Sequence, residues 1–87
     1  MIYRIEYSDK FQKTIDKFDK SVQKQIKNTI DRHITNLEAC DVKKLKGYES
    51  LYRLRSGDYR IIYEKIDNIL VIVFLDVKHR KDVYRDL

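Results

Sequence analysis

Three arginines lie close together in the second half of the chain, at Arg53, Arg55 and Arg60. They fall in two segments that alternate apolar and polar residues, which is the pattern of β-strands. If Gly57 and Asp58 form the turn between these strands, the three arginines point to the same side of the hairpin, here called the arginine face. A guanidinium presents a planar fork of donors that suits phosphate oxygens. The spacing therefore predicts a phosphate-binding surface.

The same arginines have a simpler interpretation. Arginines on exposed strands often extend into water or form weak ion pairs, and acidic partners follow nearby at Asp58, Glu64 and Asp76. Against this, like charges directly opposite each other destabilise a sheet, and packing of a core does not require them. On the arginines alone, both interpretations stay open.

The segment after the last predicted strand supplies further candidates. Arg80 adds a fourth guanidinium, and Tyr84 offers a ring that can stack on a base. His79 carries an imidazole, which exchanges protons near neutral pH, and it is the second choice for an acid–base group. The structural alternatives are a hydrogen-bonded histidine at the end of a strand and a tyrosine that anchors the tail to the core.

The composition predicts one small domain spanning residues 1–87. Of its 87 residues, 43% are hydrophobic and 38% are charged. The lone Cys40 excludes an internal disulfide and favours a reducing, cytoplasmic location. The longest apolar run, Ile69–Leu75, is too short to cross a bilayer. His33 flanks the apolar stripe of the second predicted helix, which indicates a packing or surface residue. Cys40 has no Cys or His at metal-ligand spacing and no phosphate loop is present, so no metal or cofactor is expected.

The positive charge is concentrated. The formal net charge is +5, and the segment 43–60 holds 6 basic and 2 acidic residues. A local basic excess favours a polyanionic partner, with nucleic acid as the first choice. A basic, solvated surface is the alternative.

Two helices are predicted after a first strand at residues 2–7. Ser8 can cap a helix whose apolar residues are Phe11, Ile15 and Phe18. A second helix, capped by Asp19 or Ser21, carries a longer apolar stripe. The members of that stripe are Val22, Ile26, Ile30, Ile34 and Leu37. The short link between the helices predicts an antiparallel helical hairpin.

Residues 38–50 look irregular, and three strands are predicted after them. They span Leu51–Arg55, Tyr59–Ile66 and Ile69–Val77, with turns at Gly57-Asp58 and Asp67-Asn68. The order β-α-α-β-β-β predicts an α+β fold: a small, mostly antiparallel sheet with two N-terminal helices on one face and a short C-terminal tail or helical turn.

Alternation along these strands predicts which side chains face the helices. The helix-facing set is Tyr52, Leu54, Tyr59, Ile61, Tyr63, Leu70, Ile72 and Phe74. Val71, Val73 and Leu75 join the arginine face, and His79 has the same parity if the strand continues that far.

Three segments resemble the RelE branch of the RelE/ParE toxin superfamily. They are Lys44–Gly47, then Tyr52–Tyr63 with its R-x-G-x-Y-R-x-x-Y pattern, and His79–Tyr84 with its H-R-x-x-x-Y pattern. The resemblance covers nearly the whole chain. It implies a toxin of a type II toxin–antitoxin module. Such a toxin is a metal-independent endoribonuclease that cleaves mRNA, usually in the ribosomal A site, through attack of a ribose 2′-hydroxyl on the adjacent phosphate, and so inhibits translation.

The resemblance also implies roles for the arginines and the tyrosine named above. Arg55, Arg60 and Arg80 would bind the scissile phosphate, Arg53 would deprotonate or position the nucleophile, and Tyr84 would stack on a base and orient the 2′-hydroxyl. Several members of the family have lysine at the first two arginine positions. Because arginine stays protonated in proteins, the general base is left open among Tyr84, His79 and a ribosomal group. The RNA-binding set is completed by Lys43, Lys44, Lys46, Lys78 and Lys81.

The expected partners are mRNA, the ribosome and a cognate RelB-like antitoxin, and no membrane. An extended helical segment of the antitoxin would wrap the toxin in a hetero-oligomer, blocking the basic face or displacing the tail. Two alternatives remain: a ParE-like inhibitor of DNA gyrase, which would share the fold without needing the arginine cluster, and a non-catalytic module that binds RNA or the ribosome.

Overall fold

The computed structural model of the protein describes residues 3–35 and 42–81. Leu37, Cys40 and Tyr84 lie outside these residues, as does most of the predicted tail. The described elements are β1 (Arg4–Tyr7), α1 (Asp9–Asp16), α2 (Lys20–Thr35), β2 (Val42–Lys44), β3 (Leu51–Ser56), β4 (Tyr59–Ile66), a short 3₁₀ helix (Asp67–Ile69) and β5 (Val71–His79).

The five strands form one sheet in the order β1-β5-β4-β3-β2. Only the β1–β5 pair is parallel, and the other three pairs are antiparallel. The predicted α+β architecture is therefore confirmed. Strand β2 is a correction, because it lies inside the segment predicted to be irregular. It has three residues, two of them lysines, and becomes a strand by pairing with β3 at the edge of the sheet.

Ser8 begins α1 and ties it to the sheet. Its hydroxyl accepts a hydrogen bond from the Phe11 amide at 3.0 Å, as predicted for a cap, and donates one to the Leu75 carbonyl at 2.8 Å. Phe11 is the buried residue of this helix, and its ring lies 6.0 Å from that of Phe74 in β5. The cap thus fixes the helix to the strand that it covers.

The core lies between the helices and one face of the sheet. Its buried members are Phe11, Ile26, Ile30, Leu54, Ile61, Tyr63, Ile72, Phe74 and Val77. All the sheet residues predicted to face the helices are buried in or packed against this core except Leu70. Leu70 is 37% exposed and follows the 3₁₀ helix in a left-handed conformation (φ 53°), so its predicted place in the core is wrong.

The apolar stripe of α2 ends on a histidine. The structure buries His33 completely and leaves the predicted stripe member Ile34 37% exposed. His33 lies seven residues after Ile26, on the same helical face. Its Nε2 lies 3.0 Å from the Tyr63 hydroxyl, while its Nδ1 has no partner among the described residues. Burial lowers the pKa of His33, and the positive charge of Lys65 lowers it further.

The connection from β4 to β5 is longer than the predicted two-residue turn. Ile66 pairs with Val71, so four residues form the turn, three of them in the 3₁₀ helix.

Further along the same strand pair, Tyr63 pairs with Phe74 but Ile62 pairs with Asp76. The extra residue is a β-bulge, and it reverses the alternation in the last part of β5.

No helix in the described ranges is long and apolar enough to cross a membrane.

Candidate functional site

A basic concavity of about 200 Å³ lies on the arginine face. The described residues that line it are Lys43, Arg53, Arg55 and Arg60, all of them basic. The strand register explains why they meet, because Lys43 pairs with Arg53 and Arg55 pairs with Arg60. Three strands thus bring four cations to one hollow, which suits a phosphate group of a nucleic-acid backbone.

A buried apolar residue lies beside one arginine of this concavity. Ile62 pairs with Arg53 across the β3–β4 hairpin and is 6% exposed, although it lies on the face away from the helices. Less water surrounds a cation beside a buried apolar side chain, and a lower local dielectric strengthens its attraction for an anion. Arg55, by contrast, is exposed.

The β3–β4 turn orients the side chain of Arg60. Its Nη1 donates to the Gly57 carbonyl at 2.8 Å and to the Tyr59 carbonyl at 3.1 Å. Gly57 has a positive φ of 58°, which glycine adopts with little strain. The guanidinium therefore folds back over the turn, with its remaining donors available to a ligand.

Arg80 lies at the same turn but does not line the concavity. Its amide donates to the Asp58 carbonyl at 2.7 Å, and its Nε lies 3.7 Å from Asp58 Oδ1. Both side chains are more than half exposed, so this ion pair is weak and easily exchanged for another anion. The structure thus attaches Arg80 to the turn next to Arg60, and its predicted role beside the other arginines stays a prediction. Sequence reasoning named Asp58 as a partner for arginines but did not foresee its attachment to Arg80.

His79 lies on the other face of the sheet, so its predicted placement on the arginine face is wrong. It pairs with Tyr59, and the two rings meet edge to face with centroids 5.4 Å apart. Tyr59 in turn contacts Phe18, on the side of the helices. The bulge in β5 is the physical reason, because one extra residue moves every later side chain to the opposite face.

The predicted RNA-binding lysines are distributed around the site. Lys43 lines the concavity, and Lys78 lies opposite Arg60 with its Nζ 3.6 Å from Asp76 Oδ2. Lys46 and Lys81 are exposed. Lys44 pairs with Tyr52, so alternation directs it away from the concavity.

The predicted stacking residue, Tyr84, lies outside the described residues. Among residues 3–35 and 42–81, no three His, Cys, Asp or Glu side chains come together as a group that could hold a metal ion.

The fold and this site define a small α+β protein with a polycationic hollow on the side of its sheet away from the two helices. A family model described as the ParE toxin of type II toxin–antitoxin system, parDE, matches residues 5–84. The chain is 34% identical over 85 residues to Toxin RelE3 of Methanocaldococcus jannaschii, covering 93% of this chain and 94% of that protein. It is 27% identical over 90 residues to the mRNA interferase toxin RelE of Escherichia coli K12, covering 99% and 94% respectively.

A solved structure shows the same architecture. The archaeal RelE–RelB complex from Pyrococcus horikoshii OT3 matches with a TM-score of 0.76 and 32% identity, over 92% of this chain and 97% of that one. The chain therefore belongs to the ParE toxin family of type II toxin–antitoxin systems, within the RelE/ParE superfamily. The superfamily predicted from the three sequence segments is confirmed.

Proposed function

We propose that this toxin is an endoribonuclease that cleaves mRNA in the ribosomal A site, without a metal ion, and so inhibits translation in the cytoplasm. The observation that carries the proposal is the concavity lined by Lys43, Arg53, Arg55 and Arg60. Support comes from the related E. coli protein, which is named an mRNA interferase toxin. In this proposal the arginines supply the positive charge that a metal ion supplies in other nucleases.

The reaction needs charge stabilisation and two proton transfers. The 2′-oxygen of a ribose attacks the adjacent phosphorus, the bond from phosphorus to the 5′-oxygen breaks, and a 2′,3′-cyclic phosphate remains. The 2′-hydroxyl loses its proton, and the departing 5′-oxygen gains one. Negative charge grows on the phosphoryl oxygens in between, so prearranged guanidinium groups lower the barrier.

In this proposal each residue of the site has a separate role in the reaction. Arg55 and Arg60 hold the scissile phosphate, and Arg80 joins them by exchanging Asp58 for a phosphate oxygen. Arg53, beside the buried Ile62, positions the nucleophile. Tyr84 stacks on a base of the codon. The proton of the 2′-hydroxyl goes to Tyr84 or to a ribosomal group, and His79 takes no part because it faces Tyr59.

The test is to map mRNA 5′ ends after induced expression of the wild type and two matched variants. Arg60→Ala removes a guanidinium from the concavity. Arg4→Ala removes an equally charged side chain from β1, at the far edge of the sheet, where Arg4 pairs with Glu6 at 2.8 Å. We expect codon-phased cuts in the wild type and in Arg4→Ala, and a loss of about 100-fold or more in Arg60→Ala. Cleavage on purified ribosomes then tests the A-site part of the proposal, and elemental analysis of the active purified toxin tests its metal independence.

The family description gives one rival a specific basis, since the matching model is described as the ParE toxin. DNA damage with intact mRNA after expression would support inhibition of DNA gyrase and overturn the proposal. Blocked translation with neither effect would support a module that binds the ribosome without cleaving RNA.

A cognate antitoxin is the proposed protein partner, as in the solved archaeal RelE–RelB complex. A groove of about 500 Å³ between α1 and α2 offers it a docking place. Its apolar lining is Tyr7, Phe11, Ile15, Ile26 and Ile30, and its polar lining is Gln23 with Lys20, Lys24 and Lys27. An apolar floor with a lysine rim suits an amphipathic helix whose polar flank is acidic.

Charge reversal tests this docking place. Lys24→Glu changes a lysine of the rim, whereas Lys13→Glu changes an exposed lysine of α1 that does not line the groove. With the antitoxin encoded beside the toxin gene, we expect Lys24→Glu to weaken the complex and Lys13→Glu to leave it unchanged. Equal affinities for both variants would place the antitoxin elsewhere.

A further inference from the structure

Three successive carbonyl groups of the β3–β4 turn accept hydrogen bonds from three different elements. The Ser56 carbonyl accepts from Gln25 Nε2 in α2 at 3.0 Å. The Gly57 carbonyl accepts from Arg60 Nη1 at 2.8 Å, and the Asp58 carbonyl accepts from the Arg80 amide at 2.7 Å. Because these carbonyls belong to consecutive peptide units, the orientation of one limits the orientation of the next.

The contact between α2 and the turn is close and has more than one bond. Gln25 Nε2 also lies 3.4 Å from Ser56 Oγ, and that hydroxyl lies 2.7 Å from Thr29 Oγ1. A Cβ at Gly57 would lie 2.7 Å from Gln25 Nε2, so the amide rests directly against the turn. Ser56 and Thr29 are buried, whereas Gln25 is exposed and spans the turn from outside.

We infer that Gln25 is a positioning residue for the proposed RNA cleavage. It does not touch the concavity, because it approaches the turn from the helix side. By holding the Ser56 carbonyl it fixes the peptide units whose neighbouring carbonyls hold Arg60 and Arg80. The inference rests on the proposed function, in which these two arginines bind the scissile phosphate. Gln25 therefore affects the turnover of RNA and not its binding, because the concavity keeps all four of its cations when Gln25 is replaced.

The experiment compares three variants of the full chain. Gln25→Met keeps the length of the side chain but removes the donor, and Gln25→Lys supplies a different donor at the same place. Gln12→Met is the matched control, because Gln12 in α1 donates to the Tyr7 carbonyl at 3.4 Å and not to the turn. Cleavage of mRNA on ribosomes gives kcat and KM for each. Amide hydrogen exchange at Arg80, whose N–H bonds to Asp58, gives a readout that needs no activity.

We expect Gln25→Met to lower kcat by about two- to tenfold with little change in KM. A decrease of this size corresponds to the free energy of one lost hydrogen bond. Exchange at the Arg80 amide should quicken in the same variant. Gln25→Lys should restore both, and Gln12→Met should match the wild type.

Three failures are distinguishable. If the wild type cleaves RNA and Gln25→Met cleaves it equally fast, or changes only KM, the positioning role is overturned. If exchange at Arg80 is unchanged in Gln25→Met, the link between α2 and the turn is overturned whatever the activity. A wild type that cleaves no RNA overturns the proposed function instead.

Discussion

Arg55 and Arg60 occupy directly opposite positions in the β3–β4 hairpin, and both line the same concavity. Two like charges in this relationship oppose pairing of the strands. Arg53, two residues earlier, lies opposite the apolar Ile62 in this hairpin and opposite Lys43 in the β2–β3 pair. The opposition of Arg55 and Arg60 is a local cost to strand pairing, and a bound anion would turn the same charges into an attraction.

Replacing Arg55 with threonine should stabilise the protein and weaken its function. Removing the opposed charge should raise the free energy of unfolding by about 0.2–1 kcal/mol. The salt dependence of binding to a non-cleavable RNA should fall by about one phosphate contact. Urea denaturation and RNA titrations at several salt concentrations measure the two effects. Arg4→Thr is the control: Arg4 in β1 pairs with Val71 and not with a cation, so this variant should show neither the gain in stability nor the loss in RNA binding. Equal stabilities for the two variants would contradict the cost assigned to the Arg55–Arg60 pair.

Replacing Asp58 with asparagine should strengthen RNA binding. The carboxylate lies 3.7 Å from Arg80 Nε, so it competes with a phosphate for that guanidinium. Because the pair is exposed, its loss should change stability by less than about 1 kcal/mol. Affinity for a non-cleavable RNA should rise by about two- to fivefold at low salt, and the gain should shrink as salt increases. Asp31→Asn, on the exposed surface of α2, removes the same charge away from the site. A similar gain in that variant would assign the effect to net charge alone.

Much of the fold was predictable because it depends on local patterns. Ser8 caps α1, β4 spans the predicted residues, and the alternation that placed Arg53, Arg55 and Arg60 on one face is confirmed by the register. These features follow from spacings within a single element or a single tight hairpin. The convergence of the arginines was therefore predictable from the chain alone.

The remaining errors concern features that depend on distant parts of the chain. Strand β2 has three residues and no periodicity of its own, so the place of Lys43 in the concavity depends on pairing with β3. One bulged residue in β5 moved His79 to the face of the helices. The burial of His33 was accessible in principle, since it follows Ile26 and Ile30 at helical spacing.

Stability should fall as the solution becomes more acidic, and His33 is one cause. Its pKa is lowered in the folded protein, first by burial and then by Lys65, from an ordinary value of 6.5. Below about pH 6.5 the unfolded chain then binds more protons than the folded chain. The stabilisation that neutral His33 provides is present above that pH, and it is lost as the pH falls towards the folded-state pKa. Urea denaturation at pH 7.5, 6.0 and 5.0 measures this decline.

Two variants separate His33 from the other acid-sensitive groups. His33→Phe keeps an aromatic ring in the core and should flatten the decline between pH 6.5 and 5.0. Asn28→Ala, which changes an exposed and uncharged residue of the same helix, should leave the decline as it is. An NMR titration of the His33 ring in the wild type gives a check that does not depend on how well the variant folds. A ring that titrates at or above pH 6.5 would contradict the assignment.

The two glycines of the protein should differ in how they tolerate alanine. Gly47 and Gly57 both have a positive φ, 86° and 58°, so alanine is strained at either place by about 1–2 kcal/mol. A Cβ at Gly47 would meet nothing within 4 Å, whereas one at Gly57 would lie 2.7 Å from Gln25 Nε2. Gly57→Ala should therefore cost about 0.5–1.5 kcal/mol more than Gly47→Ala, because it displaces the amide from the Ser56 carbonyl. In a Gln25→Ala background that difference should disappear, as unfolding titrations of the single and double variants will show. A difference that persists without Gln25 would mean that the backbone of the turn, and not its contact with α2, sets the cost.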